Sequence, residues 1–316
     1  HNARADHTFV IGPYGHIAMQ QGALRRIEGY DVDPSAMIDL PGLRLAWFDH
    51  LFKGAPRPAV LRDRVNYQVM GADTWKHAPS IEAMANGTQR LYLHPGRAAD
   101  GTYRLDTARP PRDATFTQRI DFTDRGDADW TASPLSLTPS LDARGGLVFV
   151  GEPVATHTDI SGLFSGKLDF SVDRRDFDYT VELYERMQDG RHFLLSWHLG
   201  RASFAADRSL RTLLQPGRRQ QLSFRSERLV SRRLEPGSRI VVVLRVNKQP
   251  DMQINYGTGG DVATETIADA GAPMRIVWMG GSMIEVPVWR APPDAGGAGD
   301  GTPAHNGKVS NDASNP

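Results

Sequence analysis

From about residue 113 onward the chain is built on a two-residue period. Phe177, Tyr179, Val181 and Leu183 fall on one side, and Asp178, Thr180, Glu182 and Tyr184 on the other. This is the pattern of a half-buried β-strand. Asp189-Gly190 then supplies a turn, and residues 193–199 return as a second strand, so the pair is expected to be a hairpin. Short apolar or alternating runs at 147–150, 221–224, 239–246, 274–278 and 283–288 predict further strands. Strands at this density, with no amphipathic helices between them, point to an all-β sandwich. No internal repeat interrupts the pattern.

The first 56 residues follow a different rule. Residues 8–11 form a short apolar strand that Gly12-Pro13 ends, and a loop with Tyr14, Gly15 and His16 follows. Asp39 is placed to cap a helix, with Pro41 in its first turn. Leu40, Leu43, Trp47 and Leu51 recur at helical spacing, and Phe48 and Phe52 widen the stripe, which reads as a core-facing side. Gly54 stops the helix and Pro56 follows it. Residues 57–112 read as a connection with strands in it. There Val65, Tyr67 and Val69 alternate with polar residues, 91–93 is apolar, and Ala108-Arg109-Pro110-Pro111 breaks regular structure. Four segments result: 1–56, 57–112, a sandwich over 113–290, and a tail over 291–316. The tail is too poor in apolar residues to offset its ordering entropy, so it is expected to be disordered.

Charge and composition narrow the function classes. Lys and Arg total 37, as do Asp and Glu, so the net charge is zero. A nucleic-acid binder or a protein of anionic membrane surfaces would carry a basic excess. There are no cysteines, which excludes disulfides, thiolate metal sites and a Cys nucleophile. No cofactor is expected. The strongest apolar run, 240–244, lies between Arg239 and Arg245 and is far too short to span a bilayer. The chain opens on His1 with no signal peptide before its first apolar segment, so further residues are expected upstream. The compartment stays open between periplasmic or secreted and cytoplasmic.

Several short stretches carry a resemblance when taken in order. They are Ile11-Gly12-Pro13-Tyr14-Gly15-His16, residues 47–54, Val69-Met70-Gly71 followed by Trp75, and Leu91-Tyr92-Leu93. Further along come Gly151, Asp176-Phe177, Asp189-Gly190 with Arg201, and the run 250–259 with Gln253, Asn255 and Tyr256. In this order and spacing the sequence resembles the cocaine-esterase-like (CocE/NonD) hydrolases, whose relatives include α-amino-acid ester hydrolases, glutaryl acylases and X-Pro dipeptidyl peptidases. Tyr14 stands where that family often has Trp. The resemblance implies a jelly-roll, galactose-binding-like β-sandwich, preceded by the last strand and helix of an α/β-hydrolase domain. It also implies a Ser-His-Asp triad in which His16 is the histidine. In α/β-hydrolases the order is Ser, acid, His, which puts nucleophile and acid before residue 1. The one near-match to a nucleophile elbow, Gly280-Gly281-Ser282-Met283-Ile284, lacks the last glycine and has no helix after it.

The implied activity is acyl transfer to water from a small-molecule ester or amide substrate, performed together with an N-terminal catalytic portion. A homo-oligomer is compatible with this. The rival class is a non-catalytic module that binds carbohydrate or another ligand. Two clusters have blander explanations. Asp173, Asp176 and Asp178 could bind a hard cation, but a solvated strand face explains them more simply, so no metal site is expected. The arginines at 208, 211, 218, 219, 225, 228, 232 and 233 are expected on exposed strands and loops, or paired with acids of a missing portion.

Overall fold

The structure, a computed structural model, describes residues 7–126, 136–142, 144–249 and 252–290. The tail expected to be disordered, 291–316, lies outside these. The hairpin expected from alternation is present. Strands Asp178–Arg186 and His192–Arg201 pair antiparallel, and the turn between them uses Gly190 at φ 85°. On the other side of Asp178–Arg186 lies Arg239–Val246, which in turn pairs with Gly146–Pro153. The sheet path continues through Tyr103–Asp106, Gly87–Arg97, Met283–Trp289, Ser165–Val172 and Met274–Met279 to the edge strand Thr115–Ile120.

The path folds back on itself, so that one hydrophobic core lies between two layers. Tyr179, Val181, Leu183, Val242 and Leu244 from one layer share that core with Leu168, Phe170, Ile276, Trp278 and Ile284 from the other. Aromatic rings close the gap: Phe177 and Trp278 meet edge to face with centroids 6.4 Å apart. Phe116 lies 5.6 Å from Phe149 across the same core. Pairs of this kind add to the area they bury. The molecule is mainly β, with a sandwich at its centre, as the period-two pattern predicted.

The polar side of that pattern is not solvated. Asp178, Thr180, Glu182 and Tyr184 are all buried. Tyr184, Val241 and Val243 form a second apolar cluster on the outer face, with Leu141, Val148, Val150 and Leu194 packed on it. Leu141 therefore helps cover a face that alternation assigned to water. Glu182 faces Arg245 at 3.3 Å, and burial pushes its carboxyl up to about 7. Arg245 also donates to the carbonyls of Asp142 and Arg144, which ties that cover to the sheet.

Asp176 and Asp178 require the same correction. Both are buried rather than on a solvated face. Asp176 accepts from Ser203 Oγ at 2.6 Å and Arg211 at 3.1 Å. Asp178 takes a two-pronged contact from Arg201 at 2.8 and 2.9 Å. Asp173 accepts from the Arg275 backbone. With their oxygens committed to cations and amides, these carboxylates form no metal cluster, and none occurs among the described residues.

The arginine-rich stretch also finds its acids within the chain. Arg219 meets Asp169, Arg225 meets Glu82, Arg232 meets Glu185, and Arg233 meets Asp159. Arg228 instead stacks over Trp197 at 4.1 Å.

Asp159 illustrates the electrostatics. Its burial raises the carboxyl pKa, but hydrogen bonds and charge from Arg233 and Lys76 outweigh this and hold it below the ordinary range. A depressed folded-state pKa means stabilisation that is present above the unfolded value and lost as pH falls through the folded one. Asp159→Asn should therefore lower stability at neutral pH by about 1.5–3 kcal/mol, the range for hydrogen bonds to charged groups. The gap from wild type should shrink below about pH 4, where unfolded aspartates protonate. Urea melts of both proteins across pH check this, and a gap that stays constant down to acid pH contradicts it.

Candidate functional site

The residues before the sandwich build a small platform. Phe9–Ile11 pairs in parallel with Val65–Val69, which pairs antiparallel with Thr74–Ala78. Val65–Val69 is buried at all five positions, not half-buried as its alternation suggested. Its polar residues have internal work. Asn66 donates to the carbonyls of Phe9 and Asp63, and Gln68 donates to Asp33. Among the described residues, Phe9–Ile11 has a strand neighbour on one side only.

Gly12 and Pro13 end that strand as the sequence suggests, and the glycine has a specific reason. A Cβ there would lie 2.5 Å from the Tyr14 ring, so only glycine lets the ring fold back over the strand end. The Tyr14 N–H donates to Gly12 O at 2.8 Å. Its phenol donates to Ala36 O, also at 2.8 Å. Burial pushes the Tyr14 phenol up.

His16 follows on an exposed turn just ahead of the short helix Ala18–Gln21. Among the described residues its imidazole has no hydrogen-bond or ion-pair partner. The structure thus presents His16 to its surroundings and brings no serine or carboxylate to it.

The helix Leu40–Lys53 has the ends its sequence predicts. Asp39 accepts from Gly42 N at 3.0 Å, and Gly54 takes the left-handed conformation at φ 70°. Its apolar stripe is only partly covered. Leu40 is buried, and Leu43 and Trp47 join Val10, Tyr14, Ala18 and Leu61 around an apolar cleft of about 360 Å³. Phe48, Leu51 and Phe52 are 47%, 52% and 78% exposed, so among the described residues nothing covers this part of the stripe, as expected of the helix without a partner. Spacing shows which face of a helix is apolar, not where its partner is. His50 is half-buried, and its Nδ1 lies 2.8 Å from Ala55 O, so it belongs to the helix end.

Sequence reasoning missed what holds this loop. Asp33, Asp73 and Trp75 hold the turn that receives Tyr14. Trp75 was marked by the resemblance without a role, and the local signal for the turn was Asp33-Pro34-Ser35, a turn-forming string. A second cleft, polar and about 350 Å³, is lined by Arg97, Tyr103, Arg119 and Lys248 among others, and includes no residue of the His16 loop.

Residues 61–273 match the family model of the X-Pro dipeptidyl-peptidase C-terminal non-catalytic domain. His16 and the helix fall before the matched region. Among solved structures, the chain is similar to an aminopeptidase from a marine-sediment Thaumarchaeota archaeon, with 19% identity and a TM-score of 0.72 over 90% of this chain and 49% of that one. It is similar to an α-amino acid ester hydrolase at 17% identity and a TM-score of 0.73, over 89% of this chain and 50% of that one. A CocE/NonD family hydrolase from Staphylococcus aureus matches at 14% identity and a TM-score of 0.55, over 79% and 46%. At these identities the likeness is one of fold. The chain spans about half the length of each of these proteins. No curated protein sequence matches it. The family match covers two thirds of the chain and most of the strands of the sandwich, and on that ground the chain belongs to the X-Pro dipeptidyl-peptidase C-terminal non-catalytic domain family.

Proposed function

We propose that this chain is the C-terminal portion of a serine hydrolase that cleaves esters or amides, supplying the triad histidine, His16, and a β-sandwich. The observation that carries the reading is that His16 and an apolar helix face are both left uncovered. The imidazole is exposed on a loop that leaves a strand with a neighbour on one side only among the described residues. On the helix Leu40–Lys53, Phe48, Leu51 and Phe52 present a surface with no partner among the described residues. Both features suit a second body that brings a serine and an acid to the loop. The hydrolase names of proteins with this fold agree with that.

In this reading His16 takes the proton from the serine hydroxyl as the oxygen attacks the carbonyl carbon. It returns the proton to the leaving alcohol or amine as the acyl–enzyme forms. It then takes a proton from water as the water oxygen attacks the acyl carbon, and passes that proton to the serine oxygen as the serine–acyl bond breaks and the acid leaves. An acid on its other ring nitrogen fixes the tautomer. Imidazole suits both transfers because it changes charge near neutral pH. The sandwich packs against the catalytic portion and walls the acyl pocket.

Two outcomes are expected. The 316-residue chain alone should turn over no activated ester and should bind a hydrophobic dye or self-associate through its open helix face. Replacing Phe48, Leu51 and Phe52 together by Ser should reduce the dye signal while leaving the β-rich circular dichroism unchanged. A dye-silent, monodisperse wild-type chain goes against a missing partner.

In the complete hydrolase, His16→Ala should lower kcat by ~10⁴-fold, the loss typical of a broken triad. His157→Ala is the control, since His157 is 59% exposed and meets only Glu235. It serves better than His50, which is bonded to its helix end. Steady-state kinetics of the two variants decide the point, and equal activity removes His16 from the mechanism.

A further inference from the structure

His16 has no partner of its own, so its place depends on what holds its loop. We propose that Tyr14 is a positioning residue for His16, anchored by the turn at Pro34–Ala36, which the hairpin of strands Val65–Val69 and Thr74–Ala78 braces. The proposal rests on the reading of His16 given above.

Among the described residues, Tyr14 is the side chain of this loop that makes a hydrogen bond. Its ring lies over Gly12, where no larger residue fits, and its phenol donates to Ala36 O at 2.8 Å. Ala36 is fully buried. The turn around it is held from several directions. Trp75 Nε1 donates to Ser35 O at 2.8 Å. Asp73 Oδ1 accepts from Ser35 N at 2.7 Å. Asp33 Oδ2 accepts from Gln68 Nε2 at 2.7 Å and from Gly71 N at 2.8 Å.

The hairpin is in turn fixed to the sandwich. Met70 N donates to Ser231 O at 3.1 Å, Arg233 N donates to Met70 O at 2.9 Å, and Lys76 meets Asp159 at 2.7 Å. An unbroken run of hydrogen bonds therefore leads from the sandwich to the residue two places before His16.

Backbone strain falls on the same segment. Among the described residues, the non-glycine residues with left-handed φ are Glu28 at 48° and Asp73 at 49°. Asp73 caps the turn. Glu28 fastens the preceding residues to the sandwich, accepting from Ser136 Oγ at 2.7 Å. Strain persists where the surroundings over-determine a conformation, and it gathers where geometry matters for function. Catalytic groups in turn lose rate steeply when displaced by about an ångström.

The test uses the complete hydrolase with Tyr14→Phe, Trp75→Phe and the double variant. Tyr14→Phe removes one hydroxyl, and Trp75→Phe removes the Ser35 bond away from the loop. Each should lower kcat about tenfold with KM within about twofold, as expected when orientation and not binding is lost. The double variant should be no worse than Tyr14→Phe, because both cut one path.

If His16→Ala is inactive while both single variants keep full kcat, the positioning role is wrong and the catalytic reading stands. Multiplicative losses in the double variant also overturn it. If His16→Ala retains activity, both readings fall together. Should Tyr14→Phe lose its cooperative unfolding transition, Trp75→Phe alone decides by the same split between kcat and KM.

Discussion

The parts of this molecule meet at one guanidinium. Arg232 lies on the strand Val230–Leu234 and is almost wholly buried. Its Nε donates to Glu185 at 2.5 Å, and Glu185 also accepts from Ser238 at 2.7 Å. The flat face of the cation lies 4.0 Å from the Phe193 ring and 5.6 Å from Tyr30. Met70 pairs with Arg232 through the backbone. One side chain thus joins the sandwich, the hairpin platform and the segment that follows the His16 loop. Arginine suits this place because its charge is delocalised, weakly hydrated and able to stack. A lysine would keep the charge and lose the geometry.

Ion pairs on buried carboxylates recur around that centre, and they do more for registration than for net stability. Taking both charges out of water largely offsets their attraction, whereas leaving one unpaired is severe. Buried Asp159 joins its strand to those of Lys76 and Arg233, and buried Asp169 meets the half-exposed Arg219 just ahead of the strand Gln220–Arg225. A slip by one residue would turn every second side chain to the other face and strand a buried charge.

The fold was legible in the sequence where it depends on near neighbours. The strand Arg239–Val246 lies where its run of apolar residues put it. Asp39 and Gly54 mark the two helix ends because capping is a matter of three or four residues. What covers a face is decided elsewhere in the chain, and there the reading went astray. Glu182 looked solvated because nothing near it reveals that Leu141 and its neighbours lie above. Phe48 and Phe52 marked the apolar side of the helix, and their exposure is what such a stripe shows when nothing among the described residues covers it. His16 was found by resemblance. Its support was not found, because Tyr14 reaches across 22 positions and Trp75 across 40 to grip one turn.

The pairing of Gly87–Arg97 with Met283–Trp289 has a consequence for how the molecule is made. Arg90 and Glu285, which meet across this pair, are 195 positions apart. The earlier strand leaves the ribosome long before the later one exists. It sits in the middle of the sheet path, not at an end, so the sandwich cannot close in step with synthesis. Domains that complete themselves early in translation escape this delay. Here the nascent chain waits with its central strand half-paired, and Met283–Trp289 acts as the keystone that lets the arch carry load.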